Sequence, residues 1–199
     1  MVSQRILLIL GEIFSKFKKN TKYEINRARR EGVEFSIEED FDLFLNYYND
    51  FAKSKNYELL AYSTLNKYRN YMLITKAVKD DNILTMHVYI HDNQRAILLY
   101  SASQFRNTDD TKYRNLIGYS NRFLHFEGMV YFKKLGYKVY DFGGYALDTT
   151  DIYLERINSF KDSFGGVLLH EYIYTSYMLK IFITIKRLFN FFGLKTKKM

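Results

Sequence analysis

Three stretches of the sequence gather side chains able to do chemistry. The first is Phe17-Lys-Lys-Asn-Thr-Lys-Tyr-Glu-Ile-Asn-Arg-Ala-Arg-Arg-Glu-Gly-Val33. At a helical advance of about 100° per residue, Thr21, Ile25, Ala28 and Gly32 fall on one narrow stripe suited to close packing on a sheet. Lys18, Lys22 and Arg29 lie on one flank of it, and Tyr23, Arg27 and Arg30 on the other. So much positive charge around a thin packing stripe suits the holding of an anion; a solvated basic face has the same pattern. The second stretch, Lys138-Val-Tyr-Asp-Phe-Gly-Gly144, is a strand running into two glycines, Gly143 and Gly144. Paired glycines admit a close ligand or a positive φ, and a plain turn reads the same way. The third is Ile157-Asn-Ser-Phe-Lys-Asp-Ser-Phe-Gly-Gly166, in which Tyr153, Ile157, Phe160 and Phe164 recur at helical spacing. Lys161 sits about 60° from the centre of that apolar stripe, so its stem can be half buried while its ammonium emerges beside the sheet. A lysine at a helix end also complements the helix dipole.

Composition narrows what such residues can do. The chain has 199 residues, 47% hydrophobic and 26% charged, which suits one globular domain rather than a disordered segment. Thirty Lys and Arg against 22 Asp and Glu leave a formal charge of +8, which favours an anionic partner such as RNA, phosphate head groups or a nucleotide-linked substrate. With no cysteine, disulfides, thiolate metal sites and cysteine nucleophiles are excluded. The four histidines, His87, His91, His125 and His170, form no HExxH or HxH pattern, so no metal site is expected. The absence of proline has no functional explanation. Residues 6–10 are too short an apolar run for a signal peptide, and Lys180, Lys186 and Arg187 interrupt the most apolar stretch. The expected location is cytoplasmic, with peripheral contact at the inner membrane face.

The elements that must position these residues follow from periodicity. Residues 5–10 read as a strand, followed by a helical stretch through Phe14 and Phe17 into 20–31, closed by Gly32. Residues 33–35 read as a second strand, and Ser36-Ile-Glu-Glu39 as a capping box opening a helix through Tyr48. The spacing of Leu65, Tyr68, Tyr71 or Met72, and Thr75 predicts a helix over 63–78. Residues 83–90 and 96–102 form a hairpin around Asp92-Asn93, 105–115 a loop, and 119–135 a helix apolar on most of its circumference. Then come a strand over 139–142, a loop and short helix over 148–164, a strand over 167–174, and a basic amphipathic helix over 176–192. The order describes a mixed α/β sheet with a central antiparallel hairpin: one domain over residues 1–175, then a helix and tail over 176–199.

In this order and spacing the three stretches resemble the Fem-type peptidyltransferases, which add amino acids to peptidoglycan precursors from aminoacyl-tRNA, and related single-domain FemAB-like acyltransferases. The resemblance runs over nearly the whole chain. Residues 18–32 resemble the family's first basic helix, residues 121–144 its helix ending in a GY-x-x-YDFGG strand, and residues 160–166 its FKxxFGG signature. The fold this implies is the GNAT (N-acetyltransferase) fold, an α/β (α+β) arrangement with a mixed, mostly antiparallel sheet flanked by helices. Two departures stand out. Fem proteins contain two tandem GNAT-like units, whereas 199 residues hold one, so the acceptor is left open and a homodimer is the expectation. Ordinary GNAT enzymes hold the coenzyme A pyrophosphate on an R/Q-x-x-G-x-G/A loop, and Tyr113-Arg-Asn-Leu-Ile-Gly-Tyr-Ser120 has one glycine and does not fit it.

The resemblance implies an aminoacyl or acyl transfer in which an amine attacks an ester carbonyl. Lys161 matches the family lysine that serves the donor ester, and Asp141 is the nearby carboxylate, either a catalytic group or a cap on the glycine turn. Substrate binding is expected from Lys18, Lys22, Tyr23, Arg27, Arg30, Phe160, Gly143 and Gly144. No bound cofactor is expected; aminoacyl-tRNA or an acyl-CoA is the co-substrate, and a nucleotide-linked or lipid-linked cell-wall or surface-polysaccharide precursor the acceptor. CoA-dependent N-acylation of an amino sugar and a non-catalytic binding module stay open. The last helix, with Tyr177, Met178, Ile181, Phe182, Ile185, Leu188, Phe189 and Phe192 on one face, is expected at a membrane surface or against a partner rather than in the core.

Overall fold

The computed structural model describes residues 2–9, 13–105, 108–172 and 176–191. Along the chain run β1 (Val2–Ile9), α1 (Lys19–Arg30), β2 (Glu34–Glu38), α2 (Phe41–Ser54), α3 (Tyr62–Asn66), β3 (Met72–Lys79) and β4 (Asn82–His91). They are followed by β5 (Arg95–Ser103), α4 (Thr111–Lys134), β6 (Val139–Gly144), α5 (Ile152–Asp162), β7 (Val167–Tyr172) and α6 (Tyr177–Phe191). The sheet order is β2-β3-β4-β5-β6-β1-β7. β2–β3, β3–β4, β4–β5 and β1–β6 are antiparallel, and β5–β6 is parallel. This is the expected mixed, mostly antiparallel sheet flanked by helices. Two compact units divide the chain, residues 4–169 and residues 1–3 with 170–199.

Alternate strand residues feed two cores on the two faces of the sheet. Thr21, Ile25 and Ala28 bury the narrow stripe of α1, and Ile25 and Ala28 join Phe123, Leu124, Met129 and Phe132 of α4 in the larger one. Phe41 and Phe44 of α2 and Leu65 of α3 meet Ile74, Met86 and Val88 in the smaller. The backbone N–H groups of Gly32 and Val33 bond back to Arg29 and Ala28, which ends α1 as expected.

Four expectations are corrected. Phe14 and Phe17 lie in a turn before α1, not in a helix. Ser36-Ile-Glu-Glu39 opens no helix: Ser36, Ile37 and Glu38 pair with Lys76, Thr75 and Ile74, and Asp40 caps α2 by accepting from the N–H groups of Asp42 and Leu43. The helix over 63–78 is a five-residue helix, a 3₁₀ turn and then β3. Strand wins there because residues 72–79 pair with β2 on one side and β4 on the other, and Asp80 and Asp81, at φ of 48° and 62°, make the turn that joins β3 to β4. α4 begins at Thr111, capped by Asp110, inside the expected loop.

Candidate functional site

The parallel pair β5–β6 opens the site. Their register runs from Arg95↔Val139 to Ile97↔Asp141, while β5 continues to Ser103. Beyond the last pair, Leu98, Ser101 and Ser103 line a cleft of about 450 Å³, completed by Phe51 and Lys55 of α2, Asn121 and His125 of α4, and Tyr153, Arg156, Ile157, Phe160 and Lys161 of α5. Openings at the carboxyl ends of parallel strands are where α/β sheets bind ligands.

Short-range devices hold α5 in place. Asp151 caps it, and the Asn158 amide both donates to the Ala146 carbonyl at 2.6 Å and accepts from the Ala146 N–H at 3.2 Å. Lys161 at its end donates to the Gly144 carbonyl, so the Phe-Lys-Asp-Ser-Phe-Gly-Gly and Asp-Phe-Gly-Gly stretches meet at one lysine. A Cβ at Gly165 would overlap the Lys16 carbonyl, and the Lys18 N–H donates to the Ser163 carbonyl at 2.9 Å. The turn after α5 is thereby seated on the segment that leads into α1.

The cleft is cationic and aromatic. Lys55 donates to the Tyr153 hydroxyl at 2.8 Å and stands 5.0 Å from the centre of that ring, and the Tyr57 hydroxyl reaches Tyr153 at 2.9 Å. Arg156 and Phe160 also line an adjoining cleft of about 280 Å³ with Lys18, Asn20, Thr21, Arg122, Ser159 and Ser163. Arg122 stacks 4.9 Å from the Phe160 ring and pairs with Glu24 at 2.8 Å. Burial holds its guanidinium below the usual range.

Of the expected site residues, Lys161, Phe160 and Lys18 are brought together at the two adjoining clefts, with Gly144 joined to Lys161. Asp141 is wholly buried: it accepts from the Arg95 guanidinium and from the Gly143 N–H at 2.7 Å, so it holds the glycine turn from behind. Lys22 donates to the Ser15 carbonyl at 3.0 Å. Tyr23 and Arg27 line a different cleft, of about 610 Å³, with Lys79, Lys112, Tyr113 and Tyr119, and Arg27 pairs with Glu31 at 2.5 Å. Arg30 is exposed on the same helix and lines none of these three clefts. The two flanks of α1 thus serve different places. Residues 113–120 lie within α4, so they form no phosphate loop.

Behind the cleft lies a group of polar residues that the sequence patterns did not single out. His125 Nδ1 meets the Tyr140 hydroxyl at 2.7 Å, Tyr140 meets the Tyr89 hydroxyl at 3.1 Å, and Tyr89 meets His87 Nδ1 at 2.9 Å. His87 Nε2 meets Asn121 Oδ1 at 2.8 Å, and Asn121 returns to the cleft wall. The two imidazole centres are 4.2 Å apart. Burial pushes His87 down to about 4, against the Asn121 hydrogen bond. Burial, then the neighbouring His87, Lys161 and Arg122, keeps His125 well below the usual range. Burial raises both tyrosines. A sequence signal existed: His87 and Tyr89 share one strand face, and Asn121 and His125 are one helical turn apart. Among the described residues no cluster of His, Asp and Glu could hold a metal ion.

No family model matches the sequence, and no curated protein matches it significantly. Solved structures do resemble the fold. FemX superposes with a TM-score of 0.67 at 12% identity, covering 89% of this chain and 63% of that one. The C-terminal domain of a putative lysylphosphatidylglycerol synthetase from Agrobacterium fabrum gives 0.63 at 14%, covering 95% and 66%. L-PGS from Bacillus licheniformis gives 0.59 at 14%, covering 94% and 64%. At these identities the likeness establishes the fold. The chain spans just under two thirds of the length of each.

Proposed function

We propose that this protein is an acyltransferase of the FemAB-like type, moving an aminoacyl group from aminoacyl-tRNA to an amine of a cell-wall or surface-polysaccharide precursor. The observation that carries the reading is the position of Lys161, anchored to the end of β6 on the wall of a cationic cleft lined by β5, α2, α4 and α5. The fold shared with FemX and the lysylphosphatidylglycerol synthetases supports it. Residues 113–120, being helical, supply no glycine loop for a coenzyme A pyrophosphate, which agrees with aminoacyl-tRNA as donor.

In this mechanism the acceptor amine attacks the donor ester carbonyl, and negative charge develops on the carbonyl oxygen. The Lys161 ammonium stabilises that oxyanion. Lys55 and Arg156 hold donor phosphate, Lys18 and Arg122 extend the cationic surface into the adjoining cleft, and Phe160 packs beneath both. Asp141 acts through structure, keeping Gly143 and Gly144 where Lys161 reaches them.

Lys161→Met should keep the thermal midpoint within a few degrees and lower transfer from a charged tRNA pool about 100- to 1,000-fold, the usual loss for one oxyanion partner. Unchanged turnover would remove Lys161 from the mechanism. Acetyl-CoA should leave the midpoint unmoved; a stabilisation near 2.7 kcal/mol at a hundredfold excess over Kd would replace the donor with an acyl-CoA. No transfer from either donor would leave a binding module.

A peripheral membrane site belongs to the same proposal. On α6, Tyr177, Met178, Ile181, Phe182 and Ile185 are all exposed, while Leu188, Phe189 and Phe192 of the expected face have side chains outside the described residues. No described helix is long and apolar enough to cross a membrane. α6 would lie in the head-group layer at the cytoplasmic face, near a lipid-linked acceptor, with each basic residue adding roughly 1 kcal/mol on anionic lipid. The full chain should co-sediment with anionic vesicles and a chain ended at Tyr174 should not; a full chain left in the supernatant defeats the idea.

A further inference from the structure

The hydrogen bonds behind the cleft form a directional chain with both ends on the cleft wall. Asn121 Oδ1 can only accept, so His87 must donate to it from Nε2. The neutral His87 ring then has its lone pair at Nδ1, and the Tyr89 hydroxyl donates to it. With its proton so used, the Tyr89 oxygen accepts from the Tyr140 hydroxyl, and the Tyr140 oxygen accepts from His125 Nδ1–H. The last ring is left with its lone pair at Nε2. Among the described residues that nitrogen has no hydrogen-bonding partner, although His125 is 98% buried and lines the cleft. Charged or titratable neighbours come from every element around it: Arg122 on its own helix, Lys161 on α5, His87 on β4 and Tyr140 on β6. Phe142, Phe160 and Phe164 close the rest of the ring's surroundings.

We propose that His125 Nε2 is the proton acceptor of this cleft, held with its lone pair outward by the chain Tyr140–Tyr89–His87–Asn121. The assignment rests on the transferase reading and supplies the base which that reading lacked. As the amine nitrogen bonds to the ester carbonyl carbon, the C=O pair moves onto oxygen beside Lys161, and the proton on nitrogen passes to Nε2. When the carbonyl reforms, the C–O bond to the donor alcohol breaks and Nε2–H returns that proton to the leaving oxygen. Amide and alcohol are formed, and His125 ends neutral. His87, Tyr89, Tyr140 and Asn121 are positioning residues. Gly128 belongs with them, because a Cβ there would lie 2.9 Å from the Tyr89 hydroxyl oxygen.

Long-range ¹H–¹⁵N correlation on the ¹⁵N-histidine-labelled full chain tests the tautomer without any substrate. His125 should give a protonated Nδ1 and a bare Nε2 at pH 7, the reverse of the form that free imidazole side chains prefer in water. Asn121→Leu, which removes the terminal acceptor, should convert it to a mixture. A protonated Nε2, or an imidazolium at pH 7, overturns the proposal and leaves the transferase reading untouched. His125→Asn keeps an amide near the Nδ1 position for Tyr140 and lacks Nε2; its kcat should fall 100- to 10,000-fold with KM within threefold. The acid limb of the kcat–pH profile should vanish with it. Transfer at the wild-type rate by a folded His125→Asn protein overturns the base assignment, whatever the tautomer. The expected tautomer with no transfer from any donor sinks the transferase reading, and the proton step with it.

Discussion

Neighbouring residues of β4 meet opposite demands. Met86 and Val88 enter an apolar cluster with Phe44, Leu65 and Ile74, whereas His87 and Tyr89 enter a hydrogen-bonded group beneath α4. All four are fully buried. The first face is held by burial that many shapes of side chain could supply. The second pairs its donors and acceptors in a fixed order from Asn121 to His125 Nδ1, because a buried group left unpaired costs about 1–3 kcal/mol. A fold needs only the first kind of core. A paired polar core directly behind a cleft points to a task at the cleft.

The largest effect that separates the faces should come from Phe44→Ala, which empties a fully buried aromatic site and should lower stability by about 3–5 kcal/mol in urea unfolding. His125 should keep its tautomer in that variant; a changed one would mean the faces are not independent. Next in size is acid. Above about pH 6.5 His87 is neutral both folded and unfolded, so it contributes nothing to pH dependence. Below that the unfolded chain takes up a proton that the folded chain refuses until about pH 4, so stability should fall across this window by roughly 3 kcal/mol for His87 alone. His125 shifts the same way and adds to the fall. A urea midpoint flat from pH 7 to pH 4.5 would mean that these rings are not buried neutral. The Phe44→Ala deficit should be the same at both pH values. The smallest change is Met86→Leu, a volume-conserving swap that should cost less than about 1.5 kcal/mol and leave the histidine spectrum as it was.

How much could be read in advance followed the same division. The β4–β5 hairpin was legible because Asp92 sits between two alternating runs, and its carboxylate accepts from the Gln94 and Arg95 N–H groups. The helical spacing of Tyr153, Ile157 and Phe160 in α5 was legible because it is local, whereas the meeting of Lys161 with the Gly144 carbonyl was not. The strand over 72–79 was not, since Leu65, Tyr68 and Tyr71 fall at helical spacing and the turn that reverses the chain is an Asp-Asp pair without glycine. Asp141 illustrates a subtler limit: a carboxylate before two glycines can serve a substrate or its own backbone, and Arg95, the partner that decides, lies 46 residues away in sequence. The histidine–tyrosine group was hidden for the same reason. Each half sits on a legible face, but only strand order and helix placement bring β4, α4 and β6 together.

The contact between Gly165 and the Lys16 carbonyl bears on how such a chain can diverge. It joins segments nearly 150 residues apart at a point with no room for a side chain, beside the Lys18–Ser163 hydrogen bond. Insertions and deletions should therefore be purged from both segments together: a residue gained near position 16 would move the start of α1 and withdraw the seat beneath Lys161. The two behave as a single heritable unit, and length variation among descendants should collect in connections elsewhere.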